Sequence, residues 1–153
     1  MNLDWEGLIV GFESRSQLIT HFFDRETGDV VQVVEARDPD KHAELAASAR
    51  YLALPKDRGE RGLGEMELFL GEVEDKKPLG ALSKALAAAD PVAAYREALL
   101  AHPREESKFF QFKQRRARER AEEWLESMHI PFEKKPPIVK AEREFPGDPS
   151  KRR

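Results

Sequence analysis

The stretch KFFQFKQRRARERAEEWL, residues 108 to 125, mingles aromatic and basic residues along the chain but separates them on a helix. At 3.6 residues per turn Phe110, Ala117, Ala121, Trp124, Leu125 and Met128 share one face, with Phe109 and Phe112 flanking its N-terminal end. That is the geometry of a core-facing stripe, and it predicts one long helix from Arg104 to Met128. The opposite surface carries Lys113, Arg115, Arg116, Arg118 and Arg120 with only Glu119 among them, followed by Glu122, Glu123 and Glu126. Arg115 with Glu119 and Arg118 with Glu122 are neighbours one turn apart, each pair worth about 0.2–0.5 kcal/mol at best. Arg116 with Arg120 is a like-charge pair that costs a similar amount. Basic residues in the first half and acidic ones in the second also oppose the helix dipole. These local costs mark the five cations as the candidate partner-binding residues. Either an acidic protein surface or a phosphate backbone would relieve them, and a plain solvated face is the alternative. Stacking on single-stranded nucleic acid needs exposed aromatics, which the helical spacing assigns to the core.

Upstream, the hydrophobic period changes. Asp4 is a good N-cap, and Trp5, Leu8, Ile9 and Phe12 follow at helical spacing, predicting a helix from Trp5 to Glu13. Leu18 to Phe23 and Val30 to Val34 are β-branched and aromatic runs around Asp24-Arg-Glu-Thr-Gly28-Asp. They predict a hairpin in which Gly28 supplies the positive φ of a type I turn with a bulge. Asp38 or Asp40 caps a short helix through Ala49, Tyr51 to Leu54 is a third strand, and Lys56 to Gly64 is an exposed polar connection. Helices are then expected from Leu63 to Glu74, from Pro78 to Asp90, and from Pro91 until His102-Pro103 stops the run. The expected fold is α+β: one short helix, a small three-stranded antiparallel sheet in the N-terminal half, and a C-terminal set of about four helices packed on it. Residues 1–130 are expected to form one domain, and residues 131–153, rich in proline and charge, an extended tail.

Composition narrows the chemistry. With no cysteine, disulfides, thiolate zinc sites and cysteine nucleophiles are excluded, which suits a reducing compartment. The start of the chain lacks a signal-peptide pattern and no apolar run approaches a membrane span, so the expectation is a cytoplasmic protein without a membrane partner. Residues 1–100 carry 12 Lys+Arg and 19 Asp+Glu, a balance of -7, and residues 101–153 carry 14 and 10, a balance of +4, making up the net -3. That asymmetry permits a polyanionic partner at the C-terminal end and does not demand one. His21, His42, His102 and His129 show no metal-ligand spacing. His21 alternates with Ile19 and Phe23 and reads as a partly buried strand residue; His102 and His129 sit at helix ends. Acidic pairs such as Glu105 with Glu106 and Glu122 with Glu123 read as solvated helix faces. The serines lie in no nucleophile-elbow pattern, and Gly59-x-x-Gly62-x-Gly64 lacks the Lys-Ser/Thr of a phosphate loop. No cofactor or catalytic residue is expected.

An ordered series of residues carries a family resemblance. It comprises Asp4-Trp5 with Leu8 and Phe12-Glu13, Asp24-x-x-Thr27-Gly28-Asp29-Val30, and Arg50-Tyr51-Leu52 before Pro55. It continues through Met66-x-x-Phe69, Val73-Glu74-Asp75, Leu82, Ala85-Leu86 and His102-Pro103, and ends with Glu119-Arg120-Ala121-x-x-Trp124-Leu125 before Ile130. Over residues 4 to 132 the chain resembles the uncharacterised bacterial protein family 0158. The resemblance implies a fold but no activity, substrate or catalytic residue. One segment departs from the family pattern: Ala89-Asp90-Pro91-Val92-Ala93-Ala94-Tyr95-Arg96 stands where members carry a Gly-Lys-Gly followed by Phe and paired basic residues. Asp90 puts a negative charge where a phosphate cradle would need a positive one. The reading is a non-enzymatic interaction or regulatory module that meets an acidic protein partner through Lys113, Arg115, Arg116, Arg118 and Arg120. The alternative is weak RNA or DNA binding through the same helix and the tail.

Overall fold

The computed structural model describes residues 1–57 and 61–133. In chain order the elements are α1 (Trp5–Glu13), β1 (Ile19–Asp24), β2 (Val30–Val34), α2 (Pro39–Ala47), β3 (Tyr51–Ala53), α3 (Arg61–Leu70), α4 (Lys76–Leu86), α5 (Pro91–Leu100) and α6 (Pro103–Ser127). The strands form one antiparallel sheet in the order β2-β1-β3, so the protein is α+β with its sheet in the N-terminal half, as expected.

Asp24 organises the sheet. Its Oδ1 accepts the backbone N–H groups of Glu26 and Thr27, closing the turn that Gly28 completes at φ 85°. A side chain on Gly28 would also bring its Cβ to 2.4 Å from the carbonyl oxygen of Asn2. Arg50, just before β3, donates to both carboxylate oxygens of Asp24 at 2.9 and 2.8 Å. One buried carboxylate thereby fixes the β1–β2 turn and the entry of the third strand. The Arg50 guanidinium holds the Asp24 carboxyl far below the usual carboxylate range.

The sheet separates two clusters. On one face α2 covers Phe22 and Val33 with Leu45. On the other, Phe23 and Leu54 join Leu8 and Phe12 of α1 and the second half of α6. Ala117 and Ala121, both without exposed surface, lie one turn apart beneath α1, while Phe12 and Phe23 meet the Trp124 ring edge-on at 6.0 and 5.8 Å. A third cluster is wholly helical: Phe69, Leu82, Tyr95 and Leu99 of α3, α4 and α5 close on Phe109 and Phe112 from the first half of α6.

This double duty corrects the predicted stripe. Phe109 and Phe112 are buried, whereas Phe110 is 55 % exposed and Met128 is exposed as well. Phe110 does share its helical azimuth with Ala117 and Ala121, but the core around α1 reaches along α6 only from Ala117 onward. The α3–α5 cluster approaches from a direction roughly 100° to 160° around the helix. A single helical projection averages two faces that belong to different halves.

Several boundaries also shift. α3 stops at Leu70, where N–H groups of Gly71, Glu72 and Val73 bond three residues back, and Asp75 caps α4 so that it starts at Lys76 before Pro78. α4 ends at Leu86, and Asp90 caps α5 through the Ala93 N–H. The expected exposed connection is corrected where it is described, because Asp57 is buried and α3 begins at Arg61; its residues 58–60 lie outside the described residues. After α6, Ile130 donates to Leu125 and His129 to Glu126, a Schellman closure with His129 at φ 61°. Ile130 packs into the sheet-side core, and Phe132, at the start of the segment expected to be mobile or to dock only weakly, meets Trp5 edge-on at 5.8 Å. The rest of that expected tail lies outside the described residues.

His129 occupies a left-handed position that costs a side chain-bearing residue about 1 kcal/mol relative to glycine. His129→Gly should therefore raise the unfolding free energy by about that amount in urea titrations; a loss of stability would contradict the Schellman assignment.

Candidate interaction surface

The five cations of α6 do not share one free face. Arg120 donates to Glu65 of α3 at 2.5 Å and to the Phe12 carbonyl of α1 at 3.1 Å, with Glu65 itself buried. Arg118 is only 6 % exposed: its guanidinium lies 3.6 Å from the centroid of the Trp5 ring and its Nε bonds Glu122 at 3.3 Å. Arg115 reaches Glu72 beyond α3 at 2.8 Å and covers the Phe112 ring, and Arg116 bonds Glu119 at 2.9 Å. Of the two pairs expected from spacing, Arg118 with Glu122 forms, whereas Arg115 and Glu119 take other partners. The repulsion between Arg116 and Arg120 is offset by Glu119 and Glu65. Lys113 alone of the five has no ion pair within 4 Å among the described residues, lying instead 5.0 Å from the Phe109 ring centroid.

Lys113 borders a groove of about 550 Å³ formed by α3, α5 and α6 and the end of α1. Met66, Tyr95, Leu99 and Phe109 are its buried lining, and the Tyr95 hydroxyl donates to the Met66 carbonyl at 3.0 Å. Burial raises the Tyr95 phenol far above its ordinary pKa, so it stays neutral. Leu100 and Phe110, 62 % and 55 % exposed, also line the groove. Three cations surround it, Arg15, Arg96 and Lys113, none in an ion pair among the described residues. Its acids are Glu13, Glu65 and Glu106. Glu65 is neutralised by Arg120. Burial raises the pKa of Glu13, with Lys113 working against the rise.

The same C-terminal end of α1 covers a second unusual residue on its sheet side. His21 is buried on β1 with its Nε2 lacking a hydrogen bond among the described residues. Gly11 lets α1 press onto it, since a Cβ there would fall 2.5 Å from Leu54 Cδ1 and 3.2 Å from the imidazole Cγ. Burial, and then the nearby Lys56 charge, lower the His21 pKa below its ordinary value. His21 therefore packs as a neutral strand residue, in line with its alternation with Ile19 and Phe23.

Among the described residues no group of three or more His, Cys, Asp or Glu is placed to hold a metal ion, and no helix is long and apolar enough to cross a membrane. The fold and its surface define an α+β protein whose distinguishing feature is an apolar groove rimmed with charge. The chain belongs to the family described as Uncharacterised protein family (UPF0158), which matches residues 1–145. It is similar to UPF0158 protein PA5073 of Pseudomonas aeruginosa, with 32 % identity over 114 residues, 73 % of this chain and 74 % of that protein. No solved structure matches it significantly.

Of the five cations proposed from the sequence as partner-binding, the groove contains Lys113 alone. Arg96 and Leu100 lie one turn apart on α5, but Arg15 in the loop after α1 and Phe110 on α6 are far from them in sequence, and no local spacing joins the three segments. Phe110 carried a signal, as the one large apolar residue on the α1-facing azimuth too far N-terminal for α1 to cover.

Two outcomes follow from these contacts. Arg120→Met leaves Glu65 buried and unpaired, which costs about 3–5 kcal/mol, whereas Arg120→Met with Glu65→Leu should recover most of the loss in denaturant titrations; equal losses would show that the pair is not coupled. For His21, the unfolded chain binds a proton near pH 6.5 while the folded chain resists it. The His21 contribution is therefore neutral above that pH, and stability falls as pH drops below it. The wild type should lose more stability between pH 7 and pH 5 than His21→Gln does, and parallel curves would remove His21 as the cause.

Proposed function

We propose that the protein is a non-enzymatic interaction module that holds an acidic, apolar segment of a partner protein in the groove between α3, α5 and α6. The carrying observation is the exposure of two large apolar side chains, Leu100 and Phe110, in a groove surrounded by Arg15, Arg96 and Lys113, which have no ion pair among the described residues. An apolar centre within a charged rim is the usual anatomy of a protein contact, and a few aromatic and cationic anchors carry most of its affinity. Arg118 and Arg120 are tied to α1 and α3, and Arg115 and Arg116 to glutamates, so the contact on α6 centres on Lys113 and Phe110. Carboxylates on the partner would meet the three cations. Glu13 and Glu106 lie among these cations, so a segment with a few spaced carboxylates fits better than the continuous charge of a phosphate backbone.

Capture from the native cell with wild type, Phe110→Ser, Lys113→Glu and Arg115→Glu tests this. Phe110→Ser and Lys113→Glu should each weaken the captured partner by about 2 kcal/mol, roughly thirtyfold, with Arg115→Glu close to wild type. A partner lost only with Arg115→Glu would place the contact on the outer arginines. Binding of a fluorescent RNA that falls steeply with salt would instead support nucleic acid.

A further inference from the structure

β2 is an outer strand of the sheet, paired with β1 on one side only. Its five residues, VVQVV, contain no charge, proline or glycine, and they pair with β1 in an unbroken register from Val30 with Phe23 to Val34 with Ile19. Outer strands usually carry a charge, a proline or a bulge that blocks pairing with another chain. The other outer strand, β3, is only three residues long and is followed closely by Pro55.

The hairpin turn sets which backbone groups of β2 point outward. Asp24 donates to the Asp29 carbonyl and Gly28 to the Asp24 carbonyl. Narrow and wide pairs alternate along an antiparallel ladder, so Phe22 with Val31 and Thr20 with Val33 exchange bonds. Val30, Gln32 and Val34 then turn their N–H and C=O groups away from β1. The Val34 carbonyl is taken by the N–H groups of Arg37 and Asp38, both at 3.0 Å. α2 packs over Val33 on one face of the sheet, and Val30 joins the α1 cluster on the other, so what remains of β2 is its edge.

The segment VVQVV reads the same in both directions. We propose that two copies of this chain pair through antiparallel β2 edges about a two-fold axis at Gln32, joining two three-stranded sheets into one of six strands. Across that axis Val30 faces Val34, Val31 faces Val33, and Gln32 faces its own copy, as a self-complementary two-fold contact requires. Gln32 is exposed, and its amide both donates and accepts, so the two side chains can bond each other. The contact is small and should give a reversible, concentration-dependent dimer that leaves the groove beside α6 open.

Sedimentation of the full chain from micromolar to near-millimolar concentration is the test, with Gln32→Lys placing two ammonium groups across the axis. Wild type should shift from monomer to dimer and Gln32→Lys should stay monomeric with unchanged circular dichroism. Because the chain has no cysteine, Gln32→Cys also supplies a unique thiol, which a short bifunctional reagent should convert to covalent dimer while Leu100→Cys stays uncrosslinked. A wild type that stays monomeric throughout, or a dimer that survives Gln32→Lys, would overturn the proposal. So would crosslinking through Leu100→Cys in place of Gln32→Cys.

Discussion

α6 belongs to two cores at once, and the rest of the structure depends on that sharing. Its first half closes the α3–α5 cluster through Phe109 and Phe112, and its second half closes the sheet-side cluster through Ala117, Ala121, Trp124 and Leu125. The guanidinium of Arg120 ties the two together, donating to α3 at Glu65 and to the end of α1 at the Phe12 carbonyl. Without it the buried carboxylate of Glu65 would lose its ion-pair partner. The charge order of the helix, unfavourable for a helix alone, is therefore resolved by tertiary contacts, with Glu72 and Glu65 supplying counter-charges from outside α6.

Much of the fold was legible in the sequence because short-range signals agreed with the tertiary result. The Asp4 cap, the Asp24 to Gly28 turn, the Asp90-Pro91 restart and the run of β-branched residues in β2 each act within a few residues. What escaped was set at long range. Phe112 is buried by the α3–α5 cluster while Phe110, which α1 does not reach, stays exposed, and α3 ended early because the chain turns there to bring Val73 into the helical core. The docking of Phe132 on Trp5 joins opposite ends of the described chain.

The candidate surface shows the same division. Sequence reasoning located the cations of α6 correctly along the chain but could not see Glu65, Glu72 and Trp5 arriving to meet three of them. Nor could it show that four of the five cations have partners within the fold. Of the named set Lys113 keeps a groove-facing charge, beside aromatic and aliphatic groups that no helical projection could bring together.

Amide hydrogen exchange along α6 tests the central claim most directly. If α6 and Arg120 weld the two clusters into one cooperative unit, the amides of Phe112 and of Ala121 to Leu125 should open with the same free energy, equal to that of global unfolding. Two distinct plateaus, with Phe112 exchanging through a cheaper opening than Leu125, would contradict it.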